Sequence, residues 1–264
     1  MKHLFLPCLR SWSLLTLMVC ATLPGAYADP VPVRYVQGAF HGFLEMRAPD
    51  GQVVAVGDAT CVVHGNRVTA ETLFRFKDGS VDDEVAIFTQ HRTFQLISDR
   101  HIQKGPAFPH PMDVLIDVPS GTVTVRSPGK DGKEQVETDH PKLPADLVNG
   151  FFELPIENLR PGMMQTTASM VVMTPKPRVV KLEISKVADD NISVVGVPRK
   201  ATHYEVKIDL GGIVGVIAPL VGKAPPEIQA WVIGGNAPTF ARYIAPLYSE
   251  GPMMTVQLAS PVWQ

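Results

Sequence analysis

From Val31 onward, apolar and polar residues alternate along the chain with a period of two. In RVTAETLFRF, Val68, Ala70, Thr72, Phe74 and Phe76 fall on one side, while Thr69, Glu71, Leu73 and Arg75 fall on the other. HYEVKIDL likewise sets Tyr204, Val206, Ile208 and Leu210 against Glu205, Lys207 and Asp209. Successive strand side chains point to opposite faces, so this pattern predicts antiparallel strands with one buried and one wetter face. The breaks have turn chemistry. PDGQ (49–52), HGNR (64–67), KDGS (77–80), PSGT (119–122) and GKDGK (129–133) each supply a glycine for positive φ, mostly beside Asp or Asn. A meander of hairpins follows, with strands predicted near 32–47, 53–64, 67–76, 82–89, 93–100, 112–117, 122–127 and 134–138. A second series is predicted near 165–173, 178–186, 192–197, 202–210, 226–234, 238–244 and 252–259.

Between the two series, HPKLPADLVNGFFELPIENLRPG spaces Leu147, Phe151 and Phe152 as a helix would, and Gly150 or Pro155 limits its length. This predicts a central helical segment near 144–158, lying across the sheet as a plug. There is no repeat of fixed period and no low-complexity stretch. The economical architecture for residues 29–264 is a single, mainly β domain: a curved antiparallel sheet, half-barrel or open-barrel meander, with one or two short helices packed against it.

The first residues change the picture of where this fold works. They combine a basic start (Lys2, Arg10), an apolar run from Leu14 to Leu23, and the small-x-small sequence Ala26-Tyr27-Ala28. That layout is an export signal over residues 1–28, cleaved after Ala28, and it places the mature chain in the periplasm or outside the cell. The apolar run is about half of the ~20 residues needed to span a bilayer, so no transmembrane segment is expected in the mature chain. Cys20 follows Leu17-Met18-Val19 and superficially resembles a lipoprotein box, but valine stands where a small residue belongs. Cleavage removes Cys8 and Cys20 and leaves Cys61 alone, so the fold must be held by its core rather than by an internal disulfide. Loss of Lys2 and Arg10 leaves 22 basic against 26 acidic residues, a formal charge of −4. No basic patch calls for nucleic acid.

FRFKDGSVDDE (74–84), SDRHIQKGPAFPHPMDVLID (98–117), LRPG (159–162) and HYEVKIDLGGIVGVIAPLVGKAPPEIQAWVIGGNAPTF (203–240) resemble a group of uncharacterised bacterial exported proteins. More remotely, strands followed by an LP…L helix, an LRPG turn and more strands are similar to periplasmic half-barrel proteins related to lipoprotein carriers. The resemblance implies an antiparallel sheet wrapped around a helix, with an apolar concavity. It carries over no catalytic residue.

Candidate chemistry is sparse. His101, His110 and Asp113 could be imagined as metal ligands with His91 upstream, but nine-residue spacing through Pro106, Pro109 and Pro111 is not that of a compact zinc site. Residues 101–113 are read instead as a stiff crossover near the rim of the sheet. Asp82 and Glu84 share one side of a strand and Asp83 faces the other; beside the KDGS turn they read as a solvated strand end, with Arg75 and Lys77 available to pair with them. Cys61 alternates into a strand interior and reads as structural. There is no G-x-S-x-G elbow, no G-x-G-x-x-G and no Walker loop. No cofactor and no metal are expected.

GGIVGVIAPLVG breaks the alternation with an uncharged stretch over 211–222, which is either a core turn or an apolar lid. The expected function is that of an exported, non-enzymatic envelope protein binding an apolar or lipid-like ligand in the concave face, through Val214, Val216, Ile217, Trp231, Phe74 and Phe76. The alternatives are a structural or protein-interaction module without ligand and, less favoured, an envelope hydrolase. The signal layout generates a direct test: N-terminal sequencing of the protein from its host should begin at Asp29, and retention of Met1 or a lipid on Cys20 would overturn the export reading.

Overall fold

A computed structural model describes residues 31–129, 131–160, 162–173, 176–209 and 226–260. Fourteen strands form one antiparallel sheet. The first series comprises β1 (Phe40–Arg47), β2 (Val53–His64), β3 (Arg67–Phe76), β4 (Val81–Gln90), β5 (Phe94–Lys104), β6 (Met112–Asp117), β7 (Thr122–Pro128) and β8 (Glu134–Asp139). After a short helix α1 (Glu153–Glu157) come β9 (Gln165–Met173), β10 (Pro177–Val194), β11 (Val197–Asp209), β12 (Ile228–Ile233), β13 (Thr239–Pro246) and β14 (Met253–Leu258). Each strand pairs with its sequence neighbour, and the two series join where β1 pairs with β14, leaving β8 and β9 at the edges. The sheet is therefore open. One glycine in each of the five predicted turns adopts positive φ, for example 84° at Gly51 and 86° at Gly79.

The inner face is filled from within. Val68, Ala86, Phe88, Val114, Ile116 and Val123 of the first series pack in one cluster with Leu182, Ile184, Val206, Ala230 and Val232 of the second. Leu147, Val148, Phe151, Leu154 and Ile156 from the connecting segment lie buried between them. Phe88 and Phe151 stack with ring centroids 4.5 Å apart. A flat sheet could not bring both series against one segment, so this contact is what curves it.

The plug is less helical than its spacing predicts. Only Glu153–Glu157 form α1. Upstream, the backbone leaves the helical path: Val148 donates to the Ser169 carbonyl (3.0 Å), Ser169 donates back to Asp146 (3.1 Å), and Gly150 has φ 71°. Backbone polar groups here are satisfied by β9, and that competing partner wins over helix. The N-terminal segment also departs from expectation, since β1 begins at Phe40. The Asn158 carboxamide oxygen accepts from the Arg34 and Tyr35 amides (2.8 Å each), and the Gln90 side chain pairs with both backbone groups of Gln37. Side chains thus replace the ladder over residues 34–37. The predicted strands 178–186 and 192–197 are joined in β10, whose bulge at Val187 lets it run on to a turn at Val195 and Gly196.

Gly150 sits where plug and sheet meet most closely. A Cβ there would lie 2.6 Å from the Ala86 Cβ and 2.8 Å from Asp99 Oδ1, at a φ that side chains avoid. Gly150→Ala should destabilise the fold by about 1–3 kcal/mol through overpacking, with a further ~1 kcal/mol from the left-handed backbone. Denaturant titration of the variant against the parent checks this.

Candidate functional site

The alternation of β4 carries Asp82, Glu84, Ala86 and Phe88 to the inner face, since Ala86 and Phe88 belong to the core. β5 would send Phe94, Leu96 and Ser98 inward. A bulge intervenes: Phe88 pairs with Leu96 but Ile87 pairs with Ser98, leaving Ile97 as the extra residue. One inserted residue reverses the facing of everything beyond it. Asp99, His101 and Gln103 therefore point inward, opposite Ala86, Glu84 and Asp82 respectively. Glu153 and Glu157 of α1 and Tyr243 of β13 complete a polar seam among the core side chains.

His101 Nε2 lies 2.6 Å from Asp82 Oδ1. The Gln103 amide donates to Asp82 Oδ2 (3.2 Å) and to the Leu247 carbonyl (3.0 Å). The Asp82 side chain is 14 % exposed. Asp99 is 2 % exposed, and its Oδ1 finds no hydrogen-bond partner among the described residues. Glu157 accepts from the Phe240 amide (2.6 Å) and from Gln37 (3.3 Å). Glu84 and Glu153 are half-buried on the inner side of the sheet.

So many carboxyls cannot all ionise in a poorly solvated interior. Burial, reinforced by Glu157 and Glu84, pushes Glu153 up to about 8 against its own backbone hydrogen bond. Burial pushes Glu157 up to about 7 despite its two donors. Asp99 is held well above the usual carboxylate range by burial and by Glu84, and Glu84 is raised by burial and Asp82. For His101, burial opposes the charge, but Glu84, the Asp82 hydrogen bond and Asp99 outweigh it and push the imidazole up to about 10. The arrangement thus favours a protonated His101 beside Asp82, while Glu84, Asp99, Glu153 and Glu157 hold their protons more tightly than usual. Burial together with Glu153 also raises the Cys61 thiol, so it stays protonated and unreactive.

The reading of Asp82 and Glu84 as a solvated strand end is corrected. Their shared side is the inner one, and Arg75 pairs with Asp58 (3.1 Å) on the other face. The crossover is also shorter than predicted: His101 to Lys104 belong to β5, and only residues 105–111 form the loop. The three imagined metal ligands are dispersed, with His101 inside, His110 exposed in the loop and Asp113 bound to Arg100 (2.7 and 2.9 Å) on the outer face. Among the described residues, no group of three His, Cys, Asp or Glu side chains is placed to hold a metal ion.

Of the residues expected to line an apolar site, the described ones fall in two separate clusters. Phe74 and Phe76 are buried in a second core cluster with Leu44, Met46, Phe108, Met254 and Val256. Trp231 alternates against Ala230 and Val232 and sits on the outer face, stacked on His203 (4.3 Å) and donating to Asp190 (2.8 Å). Val214, Val216 and Ile217 lie outside the described residues. Asp99, Glu153, Glu157 and Tyr243 were missed; only the bulge reveals Asp99, and the apolar flanks of FFELPIE were the one signal for the two glutamates.

No family model and no curated protein matches this chain. Among solved structures it is similar to a β-barrel-like protein of the domain of unknown function DUF1849 from Brucella abortus, at 9 % identity and a TM-score of 0.46, covering 86 % of this chain and 98 % of that one.

Each raised group binds its proton more tightly folded than unfolded. Their stabilisation is therefore complete below the unfolded values of 4.5 for glutamate and 6.5 for histidine, and is lost as pH rises through about 7 (Glu157), 8 (Glu153) and 10 (His101). The free energy of unfolding should fall from pH 5 to pH 9, by about 1.4 kcal/mol per pH unit for each group in its window. Glu153→Gln should flatten the decline between pH 5 and 8, and an unchanged slope would refute the assignment. His101→Ala strands the Asp82 carboxylate and should cost more than the ~0.5 kcal/mol of a surface change.

Proposed function

We propose that this chain is an exported, non-enzymatic protein of the bacterial envelope that acts through its outer surface and edges as a structural or protein-interaction module. The observation that carries the reading is the filled interior: Leu147, Val148, Phe151, Leu154 and Ile156 of its own connecting segment occupy the concave face, each at most 4 % exposed. A kinship with lipoprotein carriers would place an acyl chain where this segment lies. The same architecture with its groove filled from within favours the ligand-free form. Export rests on Lys2, Arg10, the apolar run and Ala26-Tyr27-Ala28.

The acidic seam supports the same reading. Four of its carboxyls hold protons more tightly than usual, and the His101–Asp82 pair is held between strands by Gln103. Such a cluster secures the contact between β4, β5, α1 and β13 without needing a substrate. Native mass spectrometry of the protein purified from its own host should give the mass of the bare polypeptide, and a fatty-acid dye should show no saturable binding. A stoichiometric lipid-sized adduct would overturn the proposal in favour of a carrier.

A further inference from the structure

The two edges of the sheet are treated differently. At one end, β9 is covered: the Ser169 amide and carbonyl bond Asp146 and Val148, the Ser169 hydroxyl donates to Asp146 (2.9 Å), and the Asn149 side chain pairs with both the amide (2.9 Å) and the carbonyl (3.0 Å) of Val171. Asn149 thus mimics a neighbouring strand. At the other end, β8 pairs only with β7, and no other strand among the described residues bonds its far side.

The register tells which groups of β8 are free. Pro128 lies opposite Glu134 and has no N–H, so this pair cannot exchange ladder hydrogen bonds. Antiparallel pairs alternate between bonded and non-bonded. Glu134, Val136 and Thr138 therefore turn their amides and carbonyls away from β7, while Gln135, Glu137 and Asp139 face it. The Gly129 amide bonded to the Lys133 carbonyl (2.7 Å) fits the same alternation. The free edge is flanked by carboxylates: Glu134 on the outer face, Glu137 and Asp139 on the inner, both opposite the core-facing Val125 and Val123. Val136 is 55 % exposed between them.

We propose that the edge of β8 receives an extended, basic segment of a partner protein as an added strand. This rests on the reading of the chain as an interaction module and names the partner's chemistry. An incoming antiparallel strand would bond the free groups of Glu134, Val136 and Thr138, set lysine or arginine against Glu134, Glu137 and Asp139, and place an apolar side chain beside Val136. A second β8 would add further carboxylates to this edge, whereas a basic strand neutralises those already there.

The test uses the full-length mature protein and a capped peptide, Lys-Thr-Lys-Val-Thr-Lys, with a control carrying Glu at each Lys. The basic peptide should bind saturably at low salt, protect the amides of Glu134, Val136 and Thr138 from exchange, and bind at least tenfold more tightly than the control. Val136→Pro removes an outward amide without touching the β7 ladder and should abolish binding. Glu134→Lys combined with Glu137→Lys leaves the backbone intact and should reverse the preference, so the proposal is decided even where the proline variant fails to fold. No binding, protection elsewhere, or a preference indifferent to the charge reversal would each overturn it. None of these outcomes depends on whether lipid is found in the native mass, so this proposal and the interior reading fail separately.

Discussion

An open antiparallel sheet of fourteen strands has one continuous apolar inner face, and that face must be covered by something. Here the cover is covalently part of the chain. The segment from Leu143 to Leu159 is buried against both series of strands, with Phe151 against Phe88 and Leu147 tethered to β9 through Ser169. Everything else in the molecule follows from this. The plug draws the two halves together, sets the curvature, and carries Glu153 and Glu157 into the interior. Because five of its residues are almost fully buried, removing it would expose the centre of the core rather than open a groove.

A plug that brings two carboxyls inside creates an electrostatic problem, which the fold solves with protons and one imidazole. Leaving Asp82, Glu84, Asp99, Glu153 and Glu157 all ionised around a single His101 would impose repulsion and desolvation far beyond the stability of an ordinary domain. Raised proton affinity at Glu84, Asp99, Glu153 and Glu157 relieves that conflict, and His101 pairs with Asp82 at 2.6 Å. The seam is consequently cohesive under mildly acidic conditions and strained under alkaline ones. Its retention in place of apolar side chains is a matter of specificity: hydrogen bonds from Gln103 to Asp82 and Leu247 accept only one arrangement of β4, β5 and the segment after β13.

Most of the sheet was legible because period-two alternation and glycine turns are local signals. β2, β3, β6 and β9 occur over the predicted residues, and the face holding Val68, Phe74 and Phe76 is the buried one. The site was not legible, for three physical reasons. The bulge at Ile97 has no signature in ISDRH, yet it decides that Asp99 and His101 point inward. Asp82 and Glu84 alternate as expected, but acidic residues beside a turn are normally outside, and only the plug's own glutamates and His101 explain their burial. Trp231 was expected among the ligand-binding residues, whereas Ala230 and Val232 hold the inner positions and Trp231 is buried on the other face with Ile192, Ala201 and Ala241, stacked on His203.

The bulges and the edges belong to one argument. Each inserted residue, at Val54, Ile97, Val187 and Ala241, shifts which side chains meet across the sheet without breaking the order of strands. The result is a sheet whose two faces carry different chemistry along a single strand: β5 is apolar inside at Phe94 and Leu96 and polar inside from Asp99 to Gln103. Such a sheet resists slipping in register, because a shift of one residue would turn Asp99 and His101 to the outer face and Arg100 to the inner one. Register inside the sheet is therefore pinned by buried polar side chains, and the structure can leave β8 exposed at its edge without the ladder behind it sliding. An edge held in fixed register presents its outward amides and its carboxylates at fixed spacing, which is the physical requirement for selecting one extended partner over another.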